Sequence, residues 1–170
     1  MQMLAAGGLP ILTDRGRQPD IDNPRGYCEW EPVKVLPKNP NCIDEAEGRG
    51  VKIISELLFS LPPGRDYKLI FRERPLPEVL ASQDEMLKRR GSTDLVDHAS
   101  LTQAFREHMQ QVVAWLELRR EISICRMGFR KVLRDPSGCA QTIRDFLELN
   151  LDVEAMVRTV DISLYRNRCP

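Results

Sequence analysis

Arg74 and Ser82 stand eight positions apart, one at the end of an apolar run and the other in the amphipathic stretch that follows it. Residues 67 to 83 read YKLIFRERPLPEVLASQ, a strand pattern running straight into Arg-x-Arg-Pro and then into a helix pattern. The strand end fixes Arg74, Pro75 halts the ladder, and the helix carries Ser82 back toward the same edge. A guanidinium offers a rigid fork of donors that matches a phosphate, and the hydroxyl adds one more. The spacing predicts an anion site at the end of a strand. The plainer reading is a surface arginine paired with Glu73 or Glu78 beside a solvated helix serine.

Two further segments keep the same order along the chain. Asn23-Pro24-Arg25-Gly26-Tyr27-Cys28-Glu29 lies upstream, and Asp135-Pro136-Ser137-Gly138 leads to Ile143, Phe146, Leu147 and Leu149 downstream. With the segment from Arg74 to Ser82, they resemble a bacterial sulfotransferase family over most of residues 1 to 168. The resemblance implies an α/β fold, a three-layer parallel sheet flanked by helices of the P-loop nucleoside triphosphate hydrolase type. It also implies transfer of a sulfuryl group from 3'-phosphoadenosine-5'-phosphosulfate (PAPS) to a hydroxyl or amine of a small-molecule or glycan acceptor, without a metal. Arg74 and Ser82 would then hold the donor's 3'-phosphate. Arg166, in the basic tail Tyr165-Arg166-Asn167-Arg168, is a looser candidate for the same group. Glu29 and Glu31 occupy a segment where some branches of the family carry the general base, which would need hydrogen-bond reach to the acceptor.

In that family a strand, a Gly/Ser/Thr-rich loop and a helix come first, and the loop's N–H groups cradle the 5'-phosphosulfate. The sequence has no such loop. Met1 to Ala6 followed by Gly7-Gly8 reads as the tail of that helix with its glycine stop, so the sheet is expected to lack its first central strand. Three accounts stay open: a start at an internal methionine, a truncated paralogue, or a fold completed by something else. An incomplete sheet is expected to expose apolar surface and self-associate. The alternative to an enzyme is a non-catalytic truncated relative acting in binding or protein interaction. A nucleotide kinase needs the same loop, plus a magnesium-binding Ser/Thr and Asp.

Composition narrows the classes. The chain has 170 residues, 42% apolar and 29% charged, as expected of one globular domain. Its 25 basic and 25 acidic residues cancel, which argues against nucleic acid and other general polyanions, so any basic site must be local. No apolar run approaches the roughly 20 residues that span a bilayer, and no signal segment is recognisable, so a cytoplasmic address is expected. Cys28, Cys42, Cys125, Cys139 and Cys169 form no C-x-x-C pair and are read as reduced thiols.

The elements that must position the site follow from periodicity. Leu9 to Leu12, Val51 to Ile54, Lys68 to Phe71 and Ile122 to Arg126 read as strands, with Tyr27 to Val35 and Glu56 to Leu61 as short helices and Pro37 to Asn41 as a turn. A helix from Glu78 closes at Lys88-Arg89-Arg90-Gly91, and a long one capped by Asp97 or Ser100 carries Leu101, Phe105, Met109, Val112 and Leu116 on one face. Two more helices are expected at about 139 to 149 and 152 to 160. His98, in a polar loop before the long helix, and His108, beside its apolar face, read as capping-region and packed residues rather than bases. Tyr27 and Trp30 are candidates to line an acceptor or adenine pocket, or simply to anchor their loop. Alternating short strands and amphipathic helices predict a parallel sheet covered on both faces.

Overall fold

The computed structural model describes residues 1–14, 16–21, 23–89 and 97–165. Helix α1 spans Gln2–Ala6, and 3-10 helices follow at Glu31–Val35, Pro40–Ala46 and Ser55–Ser60. Next come β1 (Tyr67–Glu73), α2 (Leu76–Arg89), α3 (His98–Glu117), β2 (Ile122–Gly128), α4 (Phe129–Arg134), α5 (Pro136–Leu147), α6 (Val153–Arg158) and a 3-10 turn at Ile162–Leu164. Strands β1 and β2 pair in parallel, from Tyr67 against Ile122 to Glu73 against Gly128. They bond to each other along their whole length, and no strand lies between them.

The strand residues alternate between two faces, and both faces are covered. Tyr67, Leu69 and Phe71 of β1 and Ile122 and Ile124 of β2 join a core built with Leu36, Leu58, Leu61, Val112 and Leu116, so α3 and the 3-10 helices cover that side. Ile70, Cys125 and Met127 point the other way, onto Leu4, Cys139, Ala140, Ile143, Leu151 and Met156 from α1, α5, α6 and the loop before α6. The architecture is mixed α/β with a two-strand parallel sheet between helical layers, smaller than the sheet expected from the sequence.

Leu9 to Leu12 contributes a single parallel bridge, Ile11 to Gly50, instead of a strand. Val51 to Ile54 is extended without a ladder; Val51 and Ile53 pack inward while Lys52 and Ile54 face out, so the period of two reports burial alone. The helix expected over Tyr27 to Val35 shrinks to five residues of 3-10 helix. Cys28 upstream of it holds a left-handed backbone, φ 49°, and Pro32 has no N–H to donate.

Capping sets the start of α5. The Asp135 carboxylate accepts the Gly138 N–H at 2.8 Å, and Pro136 takes the first helical position, where no donor is missed. A Cβ on Gly138 would meet that carboxylate, so the Asp135 side chain would have to shift to admit one. Asp135→Ala is expected to cost about 1 kcal/mol. In thermal unfolding that is a midpoint lowered by roughly 2–4 °C, and an unchanged midpoint would mean that the cap is idle.

Candidate functional site

β1 and β2 both end where α2 and α4 begin, so the C-terminal edge of the sheet gathers the side chains that leave it. Ligands of open α/β sheets bind at such an edge. Arg72 at the end of β1 and Arg74 just beyond it both place their guanidiniums over the ring of Phe129, the first residue of α4, at 4.5 and 5.2 Å from its centroid. Tyr165 meets the same ring edge-on at 5.3 Å. Arg130 follows Phe129 and turns toward α2.

At the centre lies Glu78, in the first turn of α2 and fully buried at 0% exposure. Its Oε2 accepts from Arg74 Nε at 3.2 Å. Its Oε1 accepts from Arg130 Nε at 2.7 Å and from the Tyr165 hydroxyl at 2.5 Å, and Arg130 Nη2 stands 2.6 Å away. Arg130 is also hydrogen-bonded to Tyr165. Burial pushes the Glu78 carboxyl up, but the bonds from Tyr165, Arg130 and Arg74 outweigh it and hold the group below the usual glutamate range. The hydrogen bond to Glu78 raises Arg130 in turn. Although Arg72 is exposed as a residue, desolvation of its guanidinium and then the charge of Arg74 pull it below its ordinary value. Two cations, Arg74 and Arg130, thus hold one buried carboxylate, and a third, Arg72, lies over the same ring as Arg74.

The structure brings some of the expected site residues together and leaves others apart. Arg74 is bonded to Glu78, as the plainer reading had it, but on a carboxylate shared with Arg130. Ser82 lies four residues beyond Glu78, one turn along the same face of α2. Glu29 belongs to a separate network, with Arg17 and Lys52 each at 3.8 Å and Lys34 at 4.0 Å. Glu31 is exposed and bonded to Lys34 at 2.5 Å. Among the described residues, no hydrogen bond or ion pair joins either glutamate to Arg74 or Ser82. Arg166 lies outside the described residues.

That second network secures the loop around Tyr27. Arg17 lies 3.4 Å over the Tyr27 ring and donates to its hydroxyl at 2.7 Å, while the hydroxyl donates to Asp20 at 2.6 Å. Trp30 is buried beside Leu12 and Val33, so it anchors the loop. His108 bonds to Ser55 Oγ at 2.8 Å and packs edge-on against Phe59, and His98 pairs with Asp84 at 3.3 Å. Cys42, Cys125 and Cys139 are buried thiols and Cys28 is half-buried.

Sequence reasoning missed the arrangement around Glu78. Its one visible signal was the Arg-x-Arg pair, which puts two guanidiniums on the same side of a strand end. Arg130 and Tyr165 stand 52 and 87 positions from Glu78, and no local pattern joins them. A recess of about 140 Å³ between α2 and α3, lined by Gln83, Asp84, Met86, Leu87 and Leu101, includes none of the arginines. Among the described residues no group of three His, Cys, Asp or Glu is placed to hold a metal, and no helix is long and apolar enough to cross a membrane.

No protein-family model matches the chain, and no curated protein or solved structure is detectably similar to it.

Proposed function

We propose that the chain is a sulfotransferase-family protein whose arginines at the sheet edge take the 3'-phosphate of 3'-phosphoadenosine-5'-phosphosulfate. The observation that supports this reading is the placement of Arg74 at the C-terminal end of a parallel strand, with Ser82 on the helix that follows. Such a protein moves a sulfuryl group to a hydroxyl or amine. The acceptor's oxygen or nitrogen forms the new bond to sulfur, the bond from sulfur to the donor's bridging oxygen breaks, and adenosine 3',5'-bisphosphate leaves. The acceptor's proton passes to a base, for which Glu29 and Glu31 are the candidates. Such a transfer depends on positioned anions and neutralised charge more than on covalent catalysis.

The test is calorimetric titration with adenosine 3',5'-bisphosphate. Arg74→Ala is expected to weaken binding about tenfold or more, as loss of a charge-assisted hydrogen bond does. Wild-type affinity in that variant would remove Arg74 from the phosphate role.

A second reading, a binding protein that keeps the anion site without catalysis, is favoured by the engagement of both glutamates. Glu29 sits among Arg17, Lys34 and Lys52, and Glu31 is held by Lys34. Donor turnover separates the two: release of adenosine 3',5'-bisphosphate in the presence of hydroxyl or amine acceptors supports the enzyme, and tight binding without release supports the second.

A further inference from the structure

Glu78 is the one buried charged residue among those described, and it is over-supplied with cations. Arg74 and Arg130 both bond to it, Arg72 lies over the same phenylalanine ring as Arg74, and the phenol of Tyr165 completes its Oε1. A carboxylate stripped of water needs charged partners, yet one arginine in a bidentate grip answers that need. Among the described residues, Arg72, Arg74 and Arg130 against Glu78 leave an excess of two positive charges at the sheet edge, where cations of like sign repel. The side chains of Arg74 and Arg130 keep 23% and 37% of their surface, so both heads reach solvent from their bonds to Glu78.

We infer that Glu78 is a positioning residue which aims Arg74 and Arg130 from one buried carboxylate, making Arg130, with Arg72, part of a single site for a phosphate monoester dianion. This rests on the reading of the sheet edge as the donor's 3'-phosphate site and extends it, since the sequence offers only Arg74, Ser82 and Arg166 for that group. The chemistry favours a dianion. One phosphate monoester offsets the excess of two charges, and its oxygens can accept from several guanidiniums at once. Arg74 donates to Glu78 through Nε, and among the described residues its terminal amino groups make no hydrogen bond. Glu78 can serve in this way because its own oxygens are occupied: three donors hold it in place, and a ligand gains the oriented cations without meeting the negative charge.

The experiment follows the arginine Nε–Hε resonances of the full chain during titration with inorganic phosphate, and separately with adenosine 3',5'-bisphosphate. Phosphate is expected to shift the signals of Arg72, Arg74 and Arg130 together. Glu78→Gln, which keeps the shape but removes the charge, is expected to move the Arg74 signal in the free protein and weaken phosphate binding about tenfold. If Glu78→Gln does not fold, Arg130→Lys decides: it keeps the charge, loses the fork, and is expected to weaken both probes several-fold. Wild-type affinity for both probes in Arg130→Lys, or an Arg130 signal that phosphate leaves unmoved, would overturn the inference. Bisphosphate binding that depends on Arg74 alone would overturn it while leaving the proposed function standing. Phosphate binding by all three arginines without nucleotide binding would support the inference and sink the nucleotide reading. Binding of neither probe removes both.

Discussion

Glu78→Ala is expected to lower the unfolding free energy by about 3–5 kcal/mol, because it strips the shared partner from two arginines and a phenol at once. The lower end is expected, since Arg74 and Arg130 keep enough exposure for water to recover part of the loss. Urea unfolding measures it, and a loss below about 1 kcal/mol would mean that the cluster is no more than a surface ion pair. The acid limb carries the sign. The folded carboxyl titrates below its ordinary value of 4.5, so its contribution is complete above that pH and is lost as pH falls through the depressed folded value. Wild type should therefore lose stability more steeply than the variant below about pH 4.5, and parallel acid limbs would contradict the assignment.

Met156→Ala is expected to cost about 2–5 kcal/mol, for lost burial and for the space left behind. Met156 is fully buried in the core shared by α1, α5 and α6. It also explains Gly7, whose backbone is ordinary at φ −74° but whose missing side chain makes room: a Cβ there would stand 2.7 Å from Met156 Cγ and 3.3 Å from Leu151 Cβ. Gly7→Ala should therefore destabilise the wild type. In the Met156→Ala background the added methyl instead enters vacated space and should restore stability. A double-mutant cycle by denaturant unfolding measures that coupling, and additive effects would show that the two residues do not compete for one volume.

Much of this fold is legible from local pattern. Leu101, Phe105, Met109, Val112 and Leu116 recur at helical spacing, and the structure makes them one side of α3, with Asp97 as cap, accepting from Ala99 at 3.0 Å. Lys68 to Phe71 and Ile122 to Arg126 are strands, each longer than its apolar run because Arg72 and Glu73 pair with Met127 and Gly128 and continue the ladder. Helix α4 leaves no comparable trace: FRKVLR is too short for a repeating stripe, and its cap position, Gly128, supplies no side-chain acceptor. The 3-10 helix at Pro40–Ala46 begins within the turn expected over Pro37 to Asn41, whose i to i+3 bonds it shares. An acid in the first turn of a helix ordinarily faces water and complements the dipole, so the sequence presents Glu78 as an exposed residue. Its burial is set by Arg130 and Tyr165, which reach it only after the chain has passed through both strands. Of the cluster around Glu78, the sequence accordingly shows the Arg72 and Arg74 pair and leaves Arg130 and Tyr165 unmarked.

The parallel ladder has a consequence for how this chain acquires its shape. Tyr67 pairs with Ile122, 55 positions later (122 − 67), and because a parallel register keeps that offset constant every pair of the ladder closes an equally long stretch of chain. The entropy of closing that loop must be met before any ladder bond forms, whereas α3 and α5 can form from neighbours in sequence. The arginine cluster hangs on the ends of both strands and on Tyr165, so it cannot be in place until the ladder has closed and the chain has reached Tyr165.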